Sequence, residues 1–261
     1  MNRILKTAQL REALQPYYSN DEIHGIIQHL ADYEEDFDKD QVLDRLRRFE
    51  PIQYVTGKAY FHRYSFKVTA DTLIPRPETE ELCERLLLEN PNDKKHIVDF
   101  GTGSGCIPIT LLKERPNWTG LGIDISSNAI NVARSNAEQL QVNDRLEFQI
   151  GDILKLNILP RADIWISNPP YISNEEKPTL SNQVQNYEPH SALFAGEDPL
   201  IFYKKMATLF LEQKEVGEFW FEINQYLWKE TIEVFTSLNL SAKKIEDFSG
   251  NPRFIKVVKY N

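Results

Sequence analysis

The sequence is short of the features that mark secreted, membrane-bound or metal-dependent proteins. No stretch of its 261 residues approaches the roughly 20 apolar residues needed to cross a bilayer. The N-terminus is interrupted by Arg3, Lys6, Arg11 and Glu12 and has no apolar centre of signal-peptide type. A cytoplasmic protein with no membrane association is expected. Cysteine is scarce, and the two present, Cys83 and Cys106, suit a reducing compartment as small buried packing residues. Positive charge is also short: 30 Lys and Arg against 39 Asp and Glu leave a net charge of −9, which argues against broad affinity for a phosphate backbone. No direct nucleic-acid binding is expected. The five histidines form neither an HExxH pair nor a cysteine-paired ligand set, so no metal site is expected.

What is present is an ordinary globular composition, 41% hydrophobic and 26% charged. The length suits one core domain with a small appendage, acting as a monomer. Residues 1–50 pattern as helices. In "SNDEIHGIIQHLADY" Ser19 and Glu22 have capping-box spacing, followed by Ile23, Ile26, Ile27 and Leu30 on one face. "DKDQVLDRLRRF" places Val42, Leu43, Leu46 and Phe49 on one face and stops before Pro51. The acidic run from Asp32 to Asp40 between them reads as a solvated loop. Residues 51–75 switch to period-two patterning with Gly57-Lys58 at a turn, which predicts a linker hairpin. From 76 to 261 helices and strands alternate, ending in two β-rich runs around Ser249-Gly250-Asn251-Pro252. That order predicts an α/β domain: a doubly wound, mainly parallel sheet with a C-terminal antiparallel hairpin.

Two segments of this domain carry chemistry. "VDFGTGSGC" joins its first strand to a helix, where an open α/β sheet binds ligands. Gly101, Gly103 and Gly105 allow a tight turn and close approach of a ligand to backbone. Cys106 stands where a dinucleotide fingerprint wants glycine or alanine. Asp124 closes the next strand, placed to accept hydrogen bonds from two ribose hydroxyls, and Asp152 ends the one after, where it would border an adenine. Loop and acid together leave a nicotinamide dinucleotide or S-adenosylmethionine open.

The second segment is "DIWISNPPYIS", a strand halted by two prolines. Hydride transfer gives no reason for such a corner; methyl transfer to a planar nitrogen does. An amide nitrogen is a poor nucleophile because its lone pair is delocalised. The Asn168 side-chain carbonyl, with the backbone carbonyls of Asn168 and Pro169, offers acceptors that orient an –NH2 group and favour the positive charge growing on it. Pro169 and Pro170 fix the backbone, and Tyr171 supplies a flat face for stacking.

"DFGTGSG", "DIS", "SNPPYI" and "YEPHSAL" resemble the glutamine-N5 methyltransferases that modify peptide chain release factors. "FEPIQYVTGKAYF", "LIPRPETEEL", "FEINQ" and "DFSGNPRFI" extend the likeness over roughly residues 49 to 258. The small N-terminal helical unit followed by a hairpin suggests a protein-docking domain beside the pocket, and the resemblance implies a Rossmann-like class I methyltransferase fold. It implies S-adenosylmethionine as cofactor, released as S-adenosylhomocysteine, and a release factor as protein partner. It further implies that Phe100, Gly101, Thr102, Gly103, Ser104, Gly105, Asp124, Ile125, Asp152, Ile153 and Asn168 line the cofactor site. Asn168, Pro169, Pro170 and Tyr171 would hold the glutamine of a Gly-Gly-Gln loop, with Arg76, Glu78 and Thr79 as a pocket wall. Alternatives are a sister enzyme acting on a ribosomal-protein glutamine, an adenine- or cytosine-amino methyltransferase disfavoured by the acidic composition, a non-catalytic cofactor-binding regulator, and a dehydrogenase.

Overall fold

The computed structural model describes residues 2–32, 38–91, 93–213 and 217–259. Three helices open the chain: α1 (Asn2–Leu14), α2 (Asn20–Asp32) and α3 (Lys39–Leu46). At the start of α2, the Ser19 N–H donates to Glu22 Oε2 at 2.7 Å and the Glu22 N–H donates to Ser19 Oγ at 3.3 Å, the reciprocal capping its sequence predicts. Ile23, Ile26, Val42, Leu43 and Leu46 gather with Leu14 and Tyr18 in a small core of their own. Phe49 is not on that buried face. The helix stops at Leu46, and Phe49 lies beyond it at φ +62° and 40% exposed, so helical periodicity no longer carries it inward. The predicted acidic loop has its middle, residues 33–37, outside the described residues.

The hairpin is present, with its turn displaced from the expected place. A single-turn-scale helix, α4 (Ile52–Thr56), comes first, and Gly57 is its left-handed C-cap at φ +70°. β1 (Lys58–Phe61) and β2 (Tyr64–Lys67) then turn at His62-Arg63. Five residues are too few for periodicity to separate helix from strand. Phe61 and Phe66 of the hairpin pack with Leu82, Ile97 and Ile109, so this ribbon is built into the core of the larger domain.

That domain continues with α5 (Pro77–Glu89), β3 (His96–Phe100), α6 (Cys106–Glu114), β4 (Thr119–Asp124), α7 (Ser127–Gln139), β5 (Leu146–Ile150) and β6 (Ile164–Ser167). An insertion follows, holding β7 (Ile172–Ser173), α8 (Asn182–Tyr187), α9 (His190–Leu193) and β8 (Phe194–Gly196). α10 (Ile201–Glu212), β9 (Glu218–Glu222), α11 (Trp228–Thr236), β10 (Leu240–Glu246) and β11 (Pro252–Lys259) complete it. Seven strands lie in the order β10-β11-β9-β6-β3-β4-β5. β11 runs antiparallel to both its neighbours; the other pairings are parallel. Consecutive residues of the central strands point to opposite faces and both are buried. Ile97, Ile164, Ile166 and Trp220 pack on one side of the sheet, and Val98, Trp165, Phe219 and Phe221 on the other. Helices covering both faces explain why these strands read as unbroken apolar runs. No helix among the described residues is long and apolar enough to cross a membrane.

The chain runs from β3 outward through β4 and β5, then returns to lay β6 on the other side of β3. The loops leaving β3 and β6 therefore diverge and open a crevice at the carboxyl ends of the strands.

One buried side chain ties the hairpin to this edge. Asn136 of α7, fully buried, accepts from the Lys67 N–H at 2.7 Å and donates to Lys67 O at 2.9 Å and Ser104 O at 2.8 Å. Asn136→Ala strands three backbone groups and is expected to lower stability by about 2–4 kcal/mol. Urea unfolding measures this; a loss below about 0.5 kcal/mol would mean that water replaces the amide without penalty.

Candidate active site

The loop after β3 is held from the β4 side. The N–H groups of Gly101 and Thr102 both donate to Ile123 O, and Gly105 N–H donates to Thr102 O. Asp124 ends β4 and accepts from Gly103 N–H at 2.9 Å through Oδ2 and from Ser126 N–H at 2.9 Å through Oδ1. Burial pushes its carboxyl upward, and these N–H groups act against that. Gly105 has φ +79°, and a Cβ there would fall 2.9 Å from Ile109 Cδ1 and 3.2 Å from Ala133 Cβ, so the start of α6 packs tightly on α7 only because this residue is glycine. At Gly101, φ +74°, an added Cβ meets nothing nearer than Asn168 O at 3.9 Å. The space above Gly101 is thus open and bounded by the proline corner.

The proline corner follows β6, whose pairing with β3 ends at Phe100 and Ser167. Ser167 Oγ donates to Phe100 O at 2.8 Å, which joins the two loop bases. Asn168 is half-buried and its Nδ2 donates to Thr79 Oγ1 at 3.1 Å. Thr79, in the first turn of α5, in turn donates to Glu222 Oε2 at 2.6 Å. The Tyr171 hydroxyl donates to Glu222 Oε1 at 3.3 Å. Glu222 ends β9 and is 2% exposed; burial pushes its carboxyl up to about 7 against the pull of these donors and of Arg253. Burial, with Glu222 alongside, also raises the Tyr171 phenol.

A cavity of about 160 Å³ adjoins this corner, lined by Leu73, Arg76, Asn168, Pro169, Tyr171 and Glu222 together with apolar residues of the insertion, among them Ile172, Leu180, Val184 and Leu193. The insertion is pinned. β7 pairs with β8, Arg76 Nη2 bonds Glu188 Oε1 at 2.5 Å, and the Tyr187 hydroxyl donates to Arg48 O at 2.6 Å. Arg76 therefore holds a wall of the cavity through an ion pair and also faces into the cavity. Glu78 sits half-buried two residues further on and adds negative charge near Glu222.

The structure brings Gly101, Gly103, Asp124 and Asn168 to one crevice and sets Pro169, Tyr171 and Arg76 about the cavity beside it, whereas Thr79 lies behind the lining, bonded to Asn168 and Glu222. Phe100, Thr102, Ser104 and Ile153 are buried beneath that surface, whereas Ile125 is 57% exposed at the edge. Asp152 caps the short helix Ile153–Lys155, accepting from Leu154 N–H at 3.0 Å and pairing with Lys155. Glu222 and Glu188 lie within "FEINQ" and "YEPHSAL" but pattern alone assigns them no role there, and Asn136 lies in none of the segments that carry the resemblance. Each acts on a partner more than thirty residues away in the chain.

Asp99, in the middle of β3, is fully buried, and neither of its carboxyl oxygens has a hydrogen-bond partner within the described residues. Burial pushes it from an ordinary carboxyl range up to about 7. Its folded pKa lies above its unfolded one, so the folded state binds the extra proton and stability falls as pH rises from about 4 to 7. Asp99→Asn cannot titrate. Between pH 5 and 8 its unfolding free energy should fall less than that of the unaltered protein, by on the order of 2 kcal/mol; denaturant titrations at both pH values measure it, and equal slopes would place the buried proton elsewhere.

Residues 91–240 match the family model for a methyltransferase domain. The chain is 42% identical to the release factor glutamine methyltransferase of Flavobacterium psychrophilum over 83% of its own length and 78% of the relative's. The corresponding enzyme of Bacteroides thetaiotaomicron is 35% identical over 98% of this chain and 99% of that one. Among solved structures, the catalytic domain of hMettl16 in complex with an RNA hairpin superposes with a TM-score of 0.55 at 18% identity, covering 75% of this chain and 76% of that one. A methyltransferase from Pyrococcus furiosus superposes with a TM-score of 0.54 at 16% identity, covering 75% and 89%. Those two show the fold alone, the Rossmann-like fold of class I methyltransferases. With relatives of this identity matched over 78% and 99% of their own length, the chain belongs to the family of release factor glutamine methyltransferases.

Proposed function

We propose that this protein transfers a methyl group from S-adenosylmethionine to the side-chain amide nitrogen of the glutamine in the Gly-Gly-Gln loop of peptide chain release factors. The observation that carries this reading is the corner Asn168-Pro169-Pro170-Tyr171, set at the mouth of a small, largely apolar cavity and next to the open space above Gly101. The relatives that match the chain are named for release factors, which favours this substrate over a ribosomal-protein glutamine. A net charge of −9 disfavours a nucleic-acid substrate. Release factors work in the cytoplasm, so a cytoplasmic enzyme follows from the proposed substrate.

The residues present fit the cofactor. Gly101, Thr102 and Gly105 spend their N–H groups within the loop and on β4, and Gly103 spends its own on Asp124. Such a loop has few amides left for a pyrophosphate, which weighs against a dinucleotide. Each Asp124 oxygen keeps a lone pair for a ribose hydroxyl, and Ile125 offers an exposed apolar surface beside it. When bound, S-adenosylmethionine supplies an electrophilic methyl on a sulfonium.

The chain's own part is to position an amide. β6 stops at Ser167, so the carbonyls beyond it are outside the strand ladder. Asn168 Oδ1 and the Pro169 carbonyl accept the two N–H bonds of the glutamine –NH2 group. That fixes its plane and stabilises the positive charge that develops on nitrogen as the new N–C bond forms. The two prolines lock this acceptor pair, so little freedom is lost on binding. Tyr171, its hydroxyl held by Glu222, gives the amide a surface to lie on. Leu180, Val184 and Leu193 suit the methylenes of the glutamine side chain. The methylated nitrogen is acidic enough to lose its proton to water. The N-terminal helices, joined to the cavity wall through Tyr187 and Arg48, provide the docking face for the release factor.

Mass spectrometry of a release factor incubated with the protein and S-adenosylmethionine should show one added methyl, and none when the Gly-Gly-Gln glutamine is changed to alanine. A methyl on both, or on neither, would refute the proposed acceptor. Asn168→Ala should lower kcat about 100-fold or more while cofactor affinity stays near its original value. Asp124→Ala should instead weaken cofactor binding by about 1–3 kcal/mol, and unchanged affinity by calorimetry would move the ribose site elsewhere.

A further inference from the structure

Asn168 can serve as an acceptor only if its amide is turned the right way. An amide has two ends, a carbonyl that accepts and an –NH2 that donates, and nothing in the backbone of residue 168 chooses between them. The choice is made by two side chains from other elements. Glu222 Oε2 lies 2.6 Å from Thr79 Oγ1, and the same hydroxyl oxygen lies 3.1 Å from Asn168 Nδ2. When Glu222 is ionised, the form that Thr79, Tyr171 and Arg253 favour, its oxygens only accept, so the single hydrogen of the Thr79 hydroxyl goes to Glu222. The hydroxyl then has only lone pairs left for Asn168, which must present its –NH2 group. The Asn168 side chain makes its one hydrogen bond among the described residues through Nδ2, which leaves Oδ1 without a donor there, and Asn168 is one of the residues that line the cavity.

We propose that Thr79 and Glu222 are positioning residues that orient the Asn168 amide, with Glu222 also holding Tyr171, so that the Asn168 carbonyl faces the substrate nitrogen. The inference rests on the methyl-transfer reading and adds the device that sets the polarity of its acceptor. Thr79 is 3% exposed and Glu222 2% exposed, so water does not compete for these bonds. The arrangement also accounts for a buried acid that makes no ion pair: among the described residues its carboxyl oxygens receive the hydroxyls of Thr79 and Tyr171, and Arg253 contributes at longer range. A neutral residue at 222 with no acceptor would leave the Thr79 hydrogen free to turn toward Asn168 Oδ1. The amide could then flip and present donors to a donor substrate.

Thr79→Val keeps the shape and removes the hydroxyl; Thr79→Ser keeps the hydroxyl and removes a methyl. Release-factor methylation by Thr79→Val should fall about 30-fold or more in kcat, with KM for the release factor and calorimetric cofactor affinity each changed less than about threefold. Thr79→Ser should retain kcat within about threefold of the unaltered protein. A Thr79→Val enzyme with kcat within twofold of normal, or a Thr79→Ser enzyme as impaired as Thr79→Val, overturns the proposal, since the second result would assign Thr79 to packing. A measurement on the unaltered protein needs no substrate. With asparagine selectively labelled with 15N, the side-chain –NH2 of Asn168 should exchange with solvent more slowly than the –NH2 groups of exposed asparagines. A freely exchanging Asn168 amide would refute the orientation even if methylation is seen. Failure of the unaltered protein to methylate a release factor, with that amide protected, would count against the substrate and leave the orientation standing.

Discussion

Everything at this site depends on where β6 is made to stop. A strand buried between β3 and β9 normally pairs along its length, but a proline has no N–H to donate and two in succession end the ladder at once. The stop falls where the chain has just changed direction across the sheet, so the freed carbonyls face the crevice opened by the loop after β3. Had the strand run two residues further, its carbonyls would be spent on neighbouring backbone. The rigid corner, the opening above Gly101 and the acceptor pair proposed for the amide all follow from that termination.

The surrounding structure supports the corner from three directions. From one side, Asp124 and Ile123 hold the glycine loop so that its amides are satisfied internally. From beneath, Glu222 and Thr79 set the side chains of Asn168 and Tyr171. From above, the insertion between β6 and α10 closes a wall, tied to the start of α5 by Arg76 and Glu188 and to the helical unit by Tyr187. Glu188 is buried and its ion pair is close, so removing one partner would leave a charge without compensation. The cavity wall and the N-terminal helices are thereby one connected structure.

Two buried acids, Asp99 and Glu222, have carboxyls raised by burial to about 7, yet they differ in use. Glu222 receives the hydroxyls of Thr79 and Tyr171, which belong to the proline corner and its support, whereas neither Asp99 oxygen has a hydrogen-bond partner within the described residues. Burial alone does not identify a working carboxyl; the direction of its hydrogen bonds does.

The alternating fold, the glycine loop, Asp124 and the proline corner were legible in the chain because each depends on local chemistry: apolar periodicity, backbone freedom at glycine, the missing N–H of proline. Local patterning misplaced the hairpin turn, since a five-residue helix capped by Gly57 looks like strand at that length. It put Phe49 on a helix that had already ended. It gave no elements between Tyr171 and Asp198, where the pieces are two to six residues long. The amino-acid sequence by itself determined the sheet, the two loops at its edge and the kind of chemistry they suit. Only the tertiary structure decided which way the Asn168 amide points and what encloses the cavity. Those features are made by pairs such as Thr79 with Glu222 and Arg76 with Glu188, residues more than a hundred positions apart that meet only when the sheet has formed.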